Sequence, residues 1–375
     1  MAADIDIAGI AKTCADCGNC LFACPVYNAT LIEPNSPRGK VNLIKALMEG
    51  RLKSGKLNRQ FISRCLLCGS CEYICTNGVE FVSMMIDYRN RLSGGRKIPL
   101  LKKFILFSYQ SLVFKKMGWL LGLLSRTPLK KYVTIPRPDN INLKHWLTEE
   151  GEKAYDILLF PGCVLTYFYS LLIAKIKVFL EGQGFSVALP RDLKCCGFPY
   201  LSQGWRQKSD SLREKNRRIF SRFKFKYLVV PCGNGTMMFR DHYDIAADRV
   251  FELTEFIHRF CPEAEVQMAG HADAASKVTY HDPCHNLKTL GIEAEPRFFL
   301  GQLGRQFVDD PSALCCGFGG FFSIGFPKVS RRILERRQKA LAETGARTVI
   351  TSCPGCYLHL RENLHHHVKF FIELF

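Results

Sequence analysis

No apolar run in this sequence is long enough to cross a membrane. The two nearest candidates, Phe104–Phe114 and Met117–Ser125, are split by Lys115 and Lys116. Neither reaches the roughly 18 to 20 residues that a spanning helix needs. Acidic residues are missing altogether from Tyr88 to Pro138, where twelve Lys and Arg supply two-thirds of the net charge of +18. A basic, apolar, aromatic-bearing stretch suits a helix or helix pair lying in an anionic membrane surface. The competing reading is a linker helix packed on its own protein or on a partner subunit. Nucleic acid also attracts basic protein, but no nucleic-acid fold signature appears, so no nucleic-acid partner is expected. Basic residues are absent from Met1–Ile10, which carries two Asp. That is not a secretory signal, and the expected compartment is the reducing cytosol. Nor does a G-x-G-x-x-G fingerprint lie between a strand and a helix. Gly317-Phe318-Gly319-Gly320 follows a cysteine pair and lacks the spacing. The chain is therefore expected to bind no flavin or nicotinamide of its own.

Cysteine, by contrast, is plentiful: there are 18 in 375 residues. Without an export signal, such a chain is expected to hold metal rather than disulfides. Eight of the cysteines form two Cys-x2-Cys-x2-Cys-x3-Cys runs, Cys14, Cys17, Cys20, Cys24 and Cys65, Cys68, Cys71, Cys75. Thiolates at this spacing sit on one tight loop and can hold three corners of a cubane, the fourth ligand coming from elsewhere. Structural zinc also uses Cys-x2-Cys pairs, but two complete four-cysteine runs suit it poorly. Pro25 follows Cys24, whereas Thr76 follows Cys75. The 40 residues between the runs include a helix start at Pro37-Arg38-Gly39 and an amphipathic stretch over Val41–Leu52. Phe61–Cys65 and Phe81–Leu92 also read as helical.

The rest of the chain repeats. Apolar strands run into Pro161-Gly162-Cys163 and Asp282-Pro283-Cys284. Cys195-Cys196-Gly197 and Cys315-Cys316-Gly317 follow. Further strands, Tyr227–Pro231 and Arg347–Ser352, deliver Cys232 and Cys353. The offsets between halves are 121, 120 and 121 residues. Short β-branched runs alternate with helical stretches such as Ser170–Gln183 and Val329–Thr344. This pattern predicts α/β units with parallel sheets, the cysteines lying past strand C-termini where such sheets bind ligands.

The two four-cysteine runs resemble those of two-cluster bacterial ferredoxins. That resemblance pairs Cys14, Cys17, Cys20 with Cys75, and Cys65, Cys68, Cys71 with Cys24, around two 4Fe–4S clusters. The repeats resemble the cysteine-rich CCG-domain proteins. Their motif is Cys, Cys-Cys-Gly and Cys-x2-Cys, with about thirty and then about thirty-five residues between. The second repeat matches throughout, with Cys284, Cys315, Cys316, Cys353 and Cys356. In heterodisulfide reductase, a family member, such sets hold noncubane 4Fe–4S clusters, which implies one here. The first repeat has Cys163, Cys195, Cys196 and Cys232 but Gly235 in the fifth place. It is left with a further cluster, zinc, or nothing. Thiols can also pack as small hydrophobes, and Cys261, outside every motif, is read that way. His281 and His285 flank Cys284 and can hydrogen-bond a cluster sulfur, carry a proton, or simply satisfy local backbone. His365-His366-His367 is expected at the surface.

The expected fold is a multidomain α+β chain. A helical ferredoxin-like module (1–92) precedes a basic connector (93–154), whose residues 96–137 are the membrane candidate. Two tandem α/β CCG repeats follow, the first degenerate (155–270) and the second complete (271–375). This layout resembles the iron–sulfur subunits of glycolate oxidase and related lactate and glycerol-3-phosphate dehydrogenases. The segment Ser36-Pro37-Arg38-Gly39-Lys40 through Leu43-Ile44-Lys45 resembles the glycolate oxidase type in particular. The resemblance implies an electron relay. A partner flavoprotein oxidises a 2-hydroxy acid, and electrons pass through these clusters toward a membrane quinone or quinone-linked partner, at the inner face of the cell membrane. The alternative is disulfide cleavage at the noncubane cluster, as in heterodisulfide reductase. A third class, a zinc-held scaffold that docks a dehydrogenase, is separated by colour, since zinc protein is colourless and iron–sulfur protein brown.

Overall fold

A computed structural model of the chain describes residues 6–94, 137–151, 153–267 and 277–375. Of the basic connector (93–154), residues 95–136 lie outside the described residues, and with them all of the membrane candidate 96–137 except Arg137. The chain forms two compact units. One comprises Met1–Lys97, Pro199–Ser209 and Leu314–Arg337; the other comprises Ile98–Phe198, Asp210–Ala313 and Gln338–Phe375.

The first unit is helical among its described residues. Its N-terminal part contains α1 (Ile7–Lys12), α2 (Asn19–Ala23), α3 (Pro25–Thr30), α4 (Pro37–Met48), α5 (Lys56–Ser63), α6 (Ser70–Tyr73) and α7 (Phe81–Ser93). Helix α4 starts where the sequence signals it. Ser36 Oγ accepts from Gly39 N at 2.8 Å, and Pro37 occupies the first turn, where its missing N–H costs nothing. It ends four residues before the expected Leu52, because Gly50, at φ +72, turns the chain out of the helix. The two cysteine runs adopt the same loop. Asp16 and Leu67 take φ 54 and 55, and Gly18 and Gly69 take φ 86 and 73, each glycine preceding a short helix. Ile7, Val41, Ile44, Ile62, Met84 and Met85 form the core between these helices.

Two later segments complete this unit. Pro199–Ser209 rests on α7, where Arg206 pairs with the buried Asp87 and Arg89 Nη1 donates to Ser202 O at 2.6 Å. Leu314–Arg337 rests on the second cysteine loop. Gly319, at φ +49, lies so near Leu66 that a Cβ there would meet Leu66 Cδ2 at 2.3 Å. Arg332 Nη1 donates to Ala29 O at 3.2 Å.

The second unit contains two parallel sheets, ordered β2-β1-β3-β4 and β5-β6-β7. Their strands are β1 (Ala154–Leu159), β2 (Val187–Ala188), β3 (Lys224–Val230), β4 (Val250–Glu252), β5 (Val278–Tyr280), β6 (Thr348–Thr351) and β7 (His367–Phe370). The register pairs Leu158 with Leu228 and Tyr280 with Ile350. Ile157–Leu159, Leu228–Val230 and Val349–Ile350 are wholly buried, as expected of strands covered on both faces. Each fully buried aliphatic side chain contributes about 1.5–3 kcal/mol. Helices follow the strands: α8 (Gly162–Phe168), α9 (Ser170–Gly182), α10 (Arg206–Phe220, whose first turn belongs to the other unit), α11 (Gly233–His242), α12 (Leu253–Phe260), α13 (Cys284–Lys288), α14 (Pro327–Glu343, which also begins there) and α15 (Pro354–Asn363). The parallel α/β expectation is met in both repeats. Among the described residues no single helix is long and apolar enough to cross a membrane; α8 and α9 would qualify together but meet at 113°. Leu172, Ile173, Ile176 and Leu180 of α9 are core residues.

Candidate metal centres

Two recesses lie between the helices of the first unit. One, about 490 Å³ counted to its open mouth, is lined by Cys14, Cys17, Cys20 and Cys75 together with Val41, Val79 and Phe81. The other, about 360 Å³, is lined by Cys24, Cys65, Cys68 and Cys71 with Val26, Leu66 and Leu67. Three thiols of one run and the last thiol of the other thus face each space. Cys71 borders both. The crossing arises because Cys24 and Cys75 stand past short helices, α2 and α6, that carry the chain away from its own loop. Backbone N–H groups already point at sulfur: Tyr27 N donates to Cys24 Sγ and Leu67 N to Cys65 Sγ, both at 3.4 Å. Four soft donors around an apolar recess fit an iron–sulfur cubane.

Burial pushes thiol pKa values up here, that of Cys24 to about 11 and that of Cys71 well above the ordinary range. Metal coordination reverses this, because a coordinating thiol is deprotonated outright. The charges around the two recesses differ. At the first, Arg38 pairs with Glu33 at 3.0 Å and also donates to Asp16 O. At the second stands Lys40, only 1% exposed, whose ammonium donates to Asn35 O. Burial pushes its pKa down. Arg89, 6% exposed, donates to Ile62 O at 3.0 Å, Ser63 O at 3.1 Å and Cys65 O at 2.9 Å. Arg64 borders the same recess, its Nε buried without a partner. Sequence reading assigned none of the three cations to a cluster, although Lys40 lies in the Ser36–Lys40 segment it singled out. Lys40 carries a faint signal, lying on the α4 stripe with Val41 and Ile44 that faces the core.

In the second unit the repeat cysteines follow strands as expected. Cys163 comes after β1, Cys232 after β3, Cys284 after β5 and Cys353 after β6. Cys195 and Cys196 lie instead on a loop that Asn216 braces. Its Nδ2 donates to Lys194 O and Cys195 O, both at 3.2 Å, and Tyr243 Oη donates to Cys196 O at 3.2 Å. Cys163 and Cys195 are hydrogen-bonded, which holds the Cys163 thiol down and pushes Cys195 up. Cys232 hydrogen-bonds Cys353 of the other repeat, which with burial pushes the Cys232 thiol up. The two repeats therefore meet through their fourth cysteines. Gly233 allows this approach, since a Cβ there would come within 2.1 Å of Asn286 Oδ1. At Gly235 a Cβ would meet Val230 Cγ1 at 2.8 Å, so the packing leaves no room for a fifth ligand.

Cys284 is positioned by a clamp that sequence reading also missed. Asp282, buried, takes a two-pronged bond from Arg297 at 2.9 and 2.8 Å, and Arg297 reaches on to Asp309. Such planar forks fix geometry as well as charge. His281 is fully buried, with neither ring nitrogen hydrogen-bonded, and offers a nitrogen within 4.8 Å of Cys356 Sγ. His285 instead stands edge-on to Phe198, centroids 5.5 Å apart. Cys315 and Cys316 belong to the first unit, where Gly317 N donates to Cys315 Sγ at 3.3 Å and Ser330 Oγ donates to Gly317 O at 2.8 Å. Cys261 is buried at the end of α12, its thiol pushed up to about 11 by burial. His365 and His367 are exposed, as expected, but His366 between them is half-buried, its Nδ1 turned away from solvent.

Comparison with known proteins agrees with this geometry. Residues 10–79 match the 4Fe-4S dicluster domain family, and residues 157–240 and 278–361 each match the cysteine-rich (CCG) domain family. The probable glycolate oxidase iron-sulfur subunit of Bacillus subtilis is 26% identical over 93% of this chain and 88% of its own length. Lactate utilization protein A of an Exiguobacterium species is 31% identical over 56% of this chain and 90% of its own. The glycolate oxidase iron-sulfur subunit of Escherichia coli is 24% identical over 99% of this chain and 94% of its own.

Proposed function

The chain belongs to the CCG-domain iron–sulfur proteins, and from that premise we propose that it is the electron-transfer subunit of a flavin-dependent glycolate- or lactate-type dehydrogenase. The observation that carries the reading is the crossed lining of the two recesses, three cysteines of one run with the last of the other. A bound iron–sulfur cluster supplies one-electron chemistry, so a two-electron substrate needs a flavin, here on a partner subunit.

Cys14, Cys17, Cys20 and Cys75 hold one 4Fe–4S cluster, and Cys65, Cys68, Cys71 and Cys24 hold the second. The N–H groups of Tyr27 and Leu67 stabilise thiolate charge. Val26, Leu66 and Phe81 exclude water. By motif spacing, Cys284, Cys315, Cys316, Cys353 and Cys356 hold a noncubane cluster, whose entry loop Asp282 and Arg297 fix in place. Cys163, Cys195, Cys196 and Cys232 retain the donors for a further cluster or zinc. Residues 96–137 would bring the cytoplasmic chain to the inner membrane face, where a quinone or quinone-linked protein accepts the electrons. The names of the relatives support the relay. So does Gly235, which leaves the first repeat short of the doubly complete set expected for disulfide cleavage.

The test is to purify the chain anaerobically with its co-expressed flavoprotein partner and add glycolate or lactate. The expected result is bleaching of the iron–sulfur absorbance, with electrons passing on to a quinone analogue. Bleaching absent with both acids, together with thiol release from a disulfide substrate, would replace relay with reductive cleavage.

A further inference from the structure

The two recesses of the first unit are twins in backbone and opposites in charge. Around the recess of Cys14, Cys17, Cys20 and Cys75 the one lining cation, Arg38, is matched by Glu33, and Asp16 adds an acid. Around the recess of Cys24, Cys65, Cys68 and Cys71 stand Lys40, Arg64 and Arg89. Lys40 and Arg89 spend their hydrogen bonds on backbone carbonyls, and among the described residues no carboxylate pairs with either. The nearby acid, Glu72, adjoins Cys71, which borders both recesses, so it does not separate them; its carboxylate accepts from Val82 N at 2.6 Å. A buried cation without a counter-charge is costly. Two of them beside one set of thiols point to an anion that belongs there. A four-thiolate cubane is that anion, and it becomes more negative by one charge on reduction.

We propose that Lys40, Arg64 and Arg89 are tuning residues that stabilise the reduced cluster held by Cys24, Cys65, Cys68 and Cys71, making it the higher-potential member of the pair. This rests on the crossed ligand assignment above. With a cluster bound there, these cations would balance the charge added by one electron, supplied by a partner flavin or by dithionite in the test, and would so favour its reduced form. Its place suits an exit. Leu66, on its ligand loop, touches Gly319, on the segment that carries Cys315 and Cys316. A cluster held there would lie on the side of the module that adjoins the Cys-Cys-Gly loop.

The experiment is a potentiometric titration of the anaerobically purified full chain, followed by electron paramagnetic resonance. In Lys40→Met the reduced-to-oxidised ratio of one cubane at fixed poise should fall at least tenfold, a shift of roughly 59 mV to lower potential for a one-electron couple, while the other cubane stays put. Lys40→Arg should restore most of the shift. No shift, an upward shift, or equal shifts of both cubanes would overturn the proposal. If Lys40→Met fails to assemble that cluster, cysteine variants that keep Lys40 decide. Cys24→Ser must alter the higher-potential signal and Cys75→Ser the lower, and the reverse order overturns the proposal with the ligand assignment intact. If each serine variant alters both signals, the assignment itself fails, and the proposal with it.

Discussion

In the first repeat the helix after the fourth cysteine begins Gly233-Asn234-Gly235; in the second it begins Pro354-Gly355-Cys356, and both helices are ten residues long. The strand before each is parallel and ends buried, at Leu228–Val230 and Thr348–Thr351, and the fourth cysteine caps each helix in extended conformation. What differs is what the frame carries. The second repeat places a thiol at the helix's third residue and clamps its first cysteine loop with Asp282 and Arg297. The first has a glycine there, and Pro161-Gly162 where the second has Asp282-Pro283. The frame depends on apolar burial, which Val230 serves well; the ligand depends on a pocket beside it, which Val230 fills. A repeat can therefore lose a ligand without losing its fold.

The largest expected effect follows from this difference. Cys356→Ser should remove the special cluster and leave the ferredoxin pair, so that iron falls from about twelve to about eight per chain. It should also erase the paramagnetic signal of the oxidised state. Identical iron and spectra in variant and parent would mean that the second repeat is no better a site than the first. Arg297→Ala should come next. It leaves Asp282 buried and unpaired, at a cost of about 3–5 kcal/mol, read as a lower midpoint in urea with an unchanged slope. A loss below 1 kcal/mol would show that the clamp does not separate the repeats.

Much of this comparison was visible in the residues alone. The repeat offsets, the strands before each cysteine and the missing ligand at Gly235 are all one-dimensional facts, and the parallel sheets follow from them. Other features were not legible. Lys40 reads as an ordinary charge at the start of a helix, and only the packing shows it sealed beside four thiols. Asp282 and Arg297 are fifteen residues apart, with no periodicity that links them. The contact between Cys232 and Cys353 joins different repeats, which internal symmetry does not reveal. The grouping of Leu314–Arg337 with the N-terminal helices rests on Gly319 meeting Leu66, a steric fit that the sequence records only as one glycine among many.

A smaller effect is expected from trying to repair the first repeat. Gly235→Cys drives a Cβ into Val230 and should cost about 1–3 kcal/mol by overpacking, without gaining iron. Adding Val230→Ala makes the room, and the double variant should recover most of that loss and bind additional iron. If the single variant is as stable as the parent and already binds more iron, then Val230 is not what keeps the first repeat incomplete.

The smallest effect concerns Glu252, at the end of β4 in the first repeat, with Asn286 of the second beside it. It caps α12, its Oε2 accepting from Thr254 N at 2.6 Å. Full burial raises its carboxyl pKa to about 8, against about 4.3 in an unfolded chain. Between those values the folded chain holds a proton that the unfolded chain has released. By linkage, stability then falls as pH rises. The Glu252 contribution is whole below pH 4.3, declines across the interval, and is spent once pH passes about 8. Glu252→Gln keeps the shape and most of the hydrogen bonding but cannot ionise, so its urea midpoint should stay flatter from pH 5 to 8 and cross above the parent's toward the alkaline end. Parallel pH profiles in the two proteins would mean that Glu252 keeps an ordinary pKa, and that the face where the repeats meet tolerates a carboxylate as readily as solvent does.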